Sequence, residues 1–145
     1  MLAAGKYMKH WSKIILYLKA YLPPIIWASL IFFLSNQNDL PGVPTPVLDL
    51  IIKQSAHVFV YGVLHFLIQR AIQLTTPKNQ KKALFTLAPI VLTLIYALTD
   101  EYHQSFIPGR EATWIDIGFD TLGIMISHYL THRQKQIHSF TRSTK

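Results

Sequence analysis

Four apolar stretches, roughly Ile14–Leu34, Gln54–Leu74, Ala83–Thr99 and Thr113–Leu130, divide this chain, with short polar connections between them. At about 1.5 Å of rise per residue, helices of that length reach ~25–32 Å, close to the ~30 Å hydrocarbon core of a bilayer. The pattern predicts an all-α membrane protein with four transmembrane helices filling residues 14–130. A basic interfacial segment (1–13, with Tyr7 and Trp11) precedes it and a basic tail (131–145) follows. The apolar run after Lys6, Lys9 and Lys13 ends in bulky Phe32 and Leu34, so it reads as an uncleaved anchor. Pro23-Pro24 predicts a kink or a restart in the first span and Pro89 a kink in the third. Residues Asn36 to Leu48, with Pro41-Gly42 and Pro44-Thr45-Pro46, read as a turn-rich loop.

Charge gives these spans a direction. The chain has 14 Lys and Arg against 7 Asp and Glu, a net charge of +7. All the bases except Lys53 and Arg110 flank the spans at one set of ends. The acids (Asp39, Asp49, Asp100, Glu101, Glu111, Asp116 and Asp120) gather at the other. This is the positive-inside pattern, and it predicts both termini on the cytoplasmic side of the membrane. The same clustering at span ends argues against nucleic acid as a partner, despite the positive charge. With 0 cysteines there are no disulfides and no thiolate ligands.

At the acidic ends, helical spacing sorts the ionisable residues into faces. Lys53, His57 and Tyr61 form one stripe, Asp100 and Gln104 a second, and Asp116, Asp120 and Gly123 a third. The short link through Pro108-Gly109 makes spans three and four antiparallel neighbours, which should bring Asp100 and Asp116 close together. A carboxylate at the bilayer centre costs about 2.5–3.5 kcal/mol on insertion scales, and less toward the interface, so several in one place imply partners. Arg110, Lys53 and His57 are the candidates. Two readings stay open: an ion-pair network that orients the helices, or a site that binds a ligand or does chemistry. Elsewhere, His65 and His128 read as hydrogen-bonders between helices, and His103 as an exposed loop residue. Gly62 and the Gly123/Ser127 pair read as close helix contacts. Trp11, Trp27 and Trp114 read as interfacial anchors or core.

The run Asp100-Glu101-Tyr102-His103-Gln104-Ser105-Phe106-Ile107-Pro108-Gly109-Arg110, followed by Asp116 and Asp120-x-x-Gly123, resembles the VanZ-like family of small bacterial membrane proteins. That family's pattern is D-E-x-x-Q-x-F-x-P-G-R and then D-x-x-x-[DN]-x-x-G. Its upstream R-K-x-x-H-x-x-E-Y motif is echoed from Lys53 through His57 to Tyr61, with Lys53 in place of Arg, Gln54 in place of Lys and Val60 in place of Glu. The resemblance covers about residues 20–130. It implies a multi-pass protein of the bacterial plasma membrane, associated with resistance to teicoplanin-type glycopeptides.

Two functions compete. One is a non-enzymatic role in glycopeptide resistance or envelope maintenance: a polar site at the outer face that binds an amphiphile such as the antibiotic or a lipid-linked wall precursor. Its binding residues would be Lys53, His57, Tyr61, Asp100, Glu101, Gln104, Arg110, Asp116 and Asp120. The other is a metal-dependent hydrolase or transferase acting on a lipid-linked phosphate. There His57, Asp116 and Asp120 are the catalytic candidates; Asp100, Glu101, Asp116 and Asp120 could hold a divalent cation through oxygen ligands, with Asp100, Asp116 and Asp120 as the candidate metal set. The third role open to a chain this small is that of a subunit in an oligomer or larger envelope complex.

Overall fold

The computed structural model describes residues 2–38, 44–77, 82–110 and 113–143, with side-chain surroundings for 10–38, 44–77, 85–110 and 113–134. Asp39, Glu111, the Pro41-Gly42 turn, Lys78, Lys81 and Lys145 lie outside the described residues, as do the side chains of Lys6, Tyr7, Lys9, Lys82, Lys135 and Arg142. The described chain forms α1 (Leu2–Ser35), α2 (Pro46–Thr75), α3 (Lys82–Gln104) and α4 (Trp114–Ser143).

The helices are longer than the apolar pattern indicates. The basic N-terminal segment and the first span are one continuous helix, which runs through Pro23 and Pro24 without restarting. Helix α2 starts at Pro46, eight residues before the expected Gln54. Proline is well placed in a first helical turn, where its missing N–H has no intrahelical partner to lose. The polar side chains of these added turns satisfy each other, since Lys53 Nζ reaches Asp49 Oδ2 at 2.6 Å one turn apart. Helix α4 carries on past Leu130 into the basic tail. At its start Thr113 caps it: the Thr113 hydroxyl accepts from the Asp116 N–H at 3.4 Å and donates to Asp116 Oδ2 at 2.8 Å.

Helix α2 touches the other three helices and packs most extensively against α4. The two run parallel, with Gln54 bonded to Asp116, His57 to Asp120, His65 to Ser127 and Gln69 to Thr131. Helices α1 and α3 are parallel in the same sense, through Ala28–Tyr96 and Ser35–Asp100. Consecutive helices therefore alternate in direction. The α2–α4 contact is close because Gly62 and Gly123 meet in it: a Cβ on Gly123 would overlap the Val58 carbonyl, and one on Gly62 would lie 3.2 Å from the Gly123 oxygen.

Polarity is distributed the opposite way from a water-soluble bundle. Among the described residues, Ser35, His65, Gln69, Thr93, Asp100, Glu101, Gln104, Asp120 and Ser127 are polar and buried, as many as the buried apolar side chains. Large apolar side chains such as Leu18, Ile25, Phe33, Phe59, Ile95 and Met125 face outward. In water such a surface would be an aggregation liability, whereas in lipid it costs nothing. Among the described residues, 10–35 and 46–75 are long and apolar enough to cross a membrane, with mean hydropathies of 1.7 and 1.4. Only 17% and 11% of their most apolar windows are buried, so neither is the core helix of a soluble protein.

Candidate functional site

The acidic ends of α2, α3 and α4 and the end of α1 converge. Asp100, buried on α3, accepts three hydrogen bonds at Oδ2: from Ser35 Oγ (2.8 Å), the Tyr61 hydroxyl (2.8 Å) and Gln104 Nε2 (3.0 Å). One carboxylate oxygen thus ties α3 to α1 and α2. Gln104 lies one turn further along the same face and passes the network outward, its Oε1 accepting from Arg110 Nη1 at 3.1 Å.

Arg110 does not do what its charge suggests. Its Nη2 donates to the Leu34 carbonyl at 2.8 Å and its Nε to the Gln37 carbonyl at 3.1 Å, so the guanidinium closes the C-terminal end of α1. A cation there satisfies orphan carbonyls and meets the negative end of the helix dipole. The turn before it sets this direction. Arg110 N–H bonds to the Ile107 oxygen at 3.1 Å, with Pro108 and Gly109 in the centre. Gly109 has φ 82°, the left-handed conformation required there, so Pro-Gly-Arg is a device for turning the chain and aiming the guanidinium. Lys53 is likewise engaged by Asp49 rather than by a buried acid. Of the three expected counter-ions, only His57 reaches the cluster: its Nδ1 is 2.9 Å from Asp120 Oδ1.

Asp116 is half-buried, and donors engage both its oxygens: Gln54 Nε2 at 2.8 Å and the Thr113 hydroxyl at 2.8 Å. Asp100 and Asp116 share no hydrogen bond and belong to separate parts of the network. Among the described residues, Asp100 and Asp116 are not in the group whose ligand atoms converge with Asp120. The residues whose ligand atoms do converge are His57, Glu101 and Asp120, all within 4.8 Å of one another. Both oxygens of buried Glu101, Asp120 Oδ2 and Asp100 Oδ1 have no hydrogen-bond partner. Among the described residues, no Lys or Arg pairs with any of these three acids.

Beside this buried cluster is an open cleft of about 820 Å³, lined among others by Lys53, Gln54, His57, Gln104, Arg110 and Asp116. Asp100, Glu101, Asp120 and Tyr61 are not in its lining. The walls at Ser55 and Val58 are shared with an apolar groove of about 450 Å³ running between α2 and α4 past Gly62, Phe66 and Leu130.

Ser35, Gln54 and Thr113 were not singled out as site residues. Thr113 was legible as the first residue of a Thr-x-x-Asp cap, whereas nothing in the sequence marks Ser35, whose role comes only from the neighbour it meets. Other residues fall in different places from those expected. His103 is in the last turn of α3, stacked on Phe32 at 4.9 Å and 3.3 Å from Asn36 Oδ1, not in a loop. Trp27 donates to the Val60 carbonyl at 2.9 Å and so belongs to the α1–α2 contact, while Trp11 and Trp114 are exposed. His65 bonds Ser127 at 3.0 Å across α2 and α4. The His128 ring meets His65 edge-on, with centroids 5.7 Å apart, and lies tilted against His132 at 4.5 Å.

A four-helix bundle with polar groups inside, apolar groups outside and a charged network at one end is a membrane protein. The family model described as VanZ/LLP1 matches residues 20–135, and the chain belongs to that family. No curated protein and no solved structure matches it.

Proposed function

We propose that all four helices cross the bacterial plasma membrane with both termini in the cytoplasm. On this reading the cleft opens at the outer face and binds the polar head of an envelope amphiphile without chemically changing it. The observation that carries this is the continuity of two surfaces at Ser55 and Val58. A polar cleft bearing Lys53, Gln54, Gln104 and Asp116 leads into an apolar groove facing the lipid. Amides, a carboxylate and an ammonium can bond a head group rich in hydroxyls and amides, while the groove takes an acyl or prenyl chain. Two amphiphiles outside the cell share that chemistry, an acylated glycopeptide such as teicoplanin and a lipid-linked wall precursor. Sequestering the first, or shielding the second, would give the resistance associated with the family.

The test is equilibrium binding to the purified protein in nanodiscs, with teicoplanin in one arm and a lipid-linked wall precursor in the other. Saturable binding in at least one arm is expected, weakened about tenfold by Gln54→Ala, the equivalent of ~1.4 kcal/mol for one hydrogen bond to a polar head. Absence of saturable binding in both arms contradicts the reading.

A further inference from the structure

The cluster beside the cleft holds an electrostatic imbalance that its own residues do not resolve. We propose that His57, Glu101 and Asp120 form a buried site for a divalent transition-metal ion of the Zn²⁺ or Mn²⁺ class, clamping α2, α3 and α4 together. This does not rest on the amphiphile reading, because the cation would sit there whatever the cleft binds.

Three observations converge on it. The first is geometric: one ligand atom from each residue lies within 4.8 Å of the other two. Ligand atoms around a tetrahedral ion at 2.0–2.2 Å stand roughly 3.3–3.6 Å apart, so side-chain shifts of about an ångström separate this arrangement from a coordinating one. The second is that Glu101, 5% exposed, has neither carboxylate oxygen bonded, and Asp120, 0% exposed, has Oδ2 free. A buried carboxylate without donors pays the full cost of leaving water, and in native structures such a group is paired or coordinates a metal. The third is charge. With His57 coordinating as the neutral imidazole, it and the two carboxylates sum to −2, no Lys or Arg among the described residues bonds them, and one divalent ion brings the site to zero.

The donor set narrows the choice of ion. Imidazole suits Zn²⁺ and Fe²⁺ and carboxylates suit Mn²⁺, whereas Mg²⁺ keeps several waters and Ca²⁺ takes six to eight oxygens, more than this buried site offers. The surroundings brace the ligands as outer-shell groups do in metal proteins. The His57 ring lies parallel to Tyr61, with centroids 6.3 Å apart, and Tyr61 is fixed by its hydrogen bond to Asp100. The simplest rival is a proton on Glu101 in place of the metal, and the two differ in stoichiometric metal content.

The experiment uses the full chain, purified without chelator for elemental analysis, then stripped and titrated with ZnCl₂, MnCl₂, MgCl₂ or CaCl₂ while calorimetry and thermal unfolding are followed. About one equivalent of Zn²⁺ or Mn²⁺ per chain and a rise in Tm are expected, with Mg²⁺ and Ca²⁺ at least ~10²-fold weaker. Outer-shell changes alone lower metal affinity 10–100-fold, so Glu101→Gln and Asp120→Asn should each lower it by ~10² or more, while Asp49→Asn leaves it unchanged. Should a variant not fold, Mn²⁺ electron paramagnetic resonance on the wild-type chain still decides, through hyperfine coupling to one histidine nitrogen. No stoichiometric metal, no nitrogen coupling, or equal affinity in Glu101→Gln overturns the proposal.

Discussion

Asp100 and Arg110 show how far single residues depend on their setting. Asp100 concentrates the donors of Ser35, Tyr61 and Gln104 on one oxygen, so replacing it strands three groups at the meeting point of three helices. Asp100→Ala is expected to cost about 3–5 kcal/mol, read as a fall in the unfolding midpoint in mild detergent. Arg110→Ala should cost less, ~1.5–3 kcal/mol, since it releases carbonyls at an accessible helix end and leaves no acid unpaired. Arg110→Lys should restore only part of this, because an ammonium cannot reproduce the planar fork that reaches Leu34, Gln37 and Gln104. Full restoration by Lys would mean that charge alone matters there. The sequence names Arg110 but misassigns its partner: opposite charges are visible along a chain, whereas the open carbonyls of a distant helix end are not. Glu101 is named among the binding residues as well, but for a related reason the sequence does not give its partners. Grouping by four-residue spacing joins Asp100 to Gln104, and Glu101, about 100° further around α3, turns toward His57 and Asp120 instead.

At the scale of elements, the α2–α4 interface organises the molecule. Its parallel ladder from Gln54–Asp116 to Gln69–Thr131 places polar pairs on either side of a glycine contact. Gly123→Ala should push the helices apart at Val58 and cost roughly 1–3 kcal/mol or more, with weaker amphiphile binding because the groove wall moves too. Gly62→Ala should be milder, since its added Cβ meets only a tight contact. Equal stability of Gly123→Ala and the wild-type chain in an unfolding titration would contradict this packing. The sequence shows these glycines as small-residue contacts and shows four helical segments, but it misplaces the ends. Hydropathy marks where lipid begins, whereas helices continue as long as their polar groups find partners, as Asp49 and Lys53 do in the first turns of α2.

At the scale of the whole molecule, the inverted polarity of the fold fits a membrane protein, and the one-sided charge distribution is the basis of the proposed orientation. The carboxylates of α3 and α4 and His57 of α2 come together although they are far apart in the chain, because alternating helix directions bring the same three ends to one face. That alternation was legible from the charges, whereas the division of labour within the cluster depends on side-chain directions that no linear pattern carries. In the proposed topology this face looks outward. The chain contains 0 cysteines, so single cysteines placed at Pro108 and at Gln134, exposed at opposite ends of the bundle, can be labelled in intact cells with a membrane-impermeant maleimide. Labelling at Pro108→Cys and protection at Gln134→Cys until the cells are permeabilised are expected; the reverse pattern, or labelling of both in intact cells, would overturn the proposed orientation.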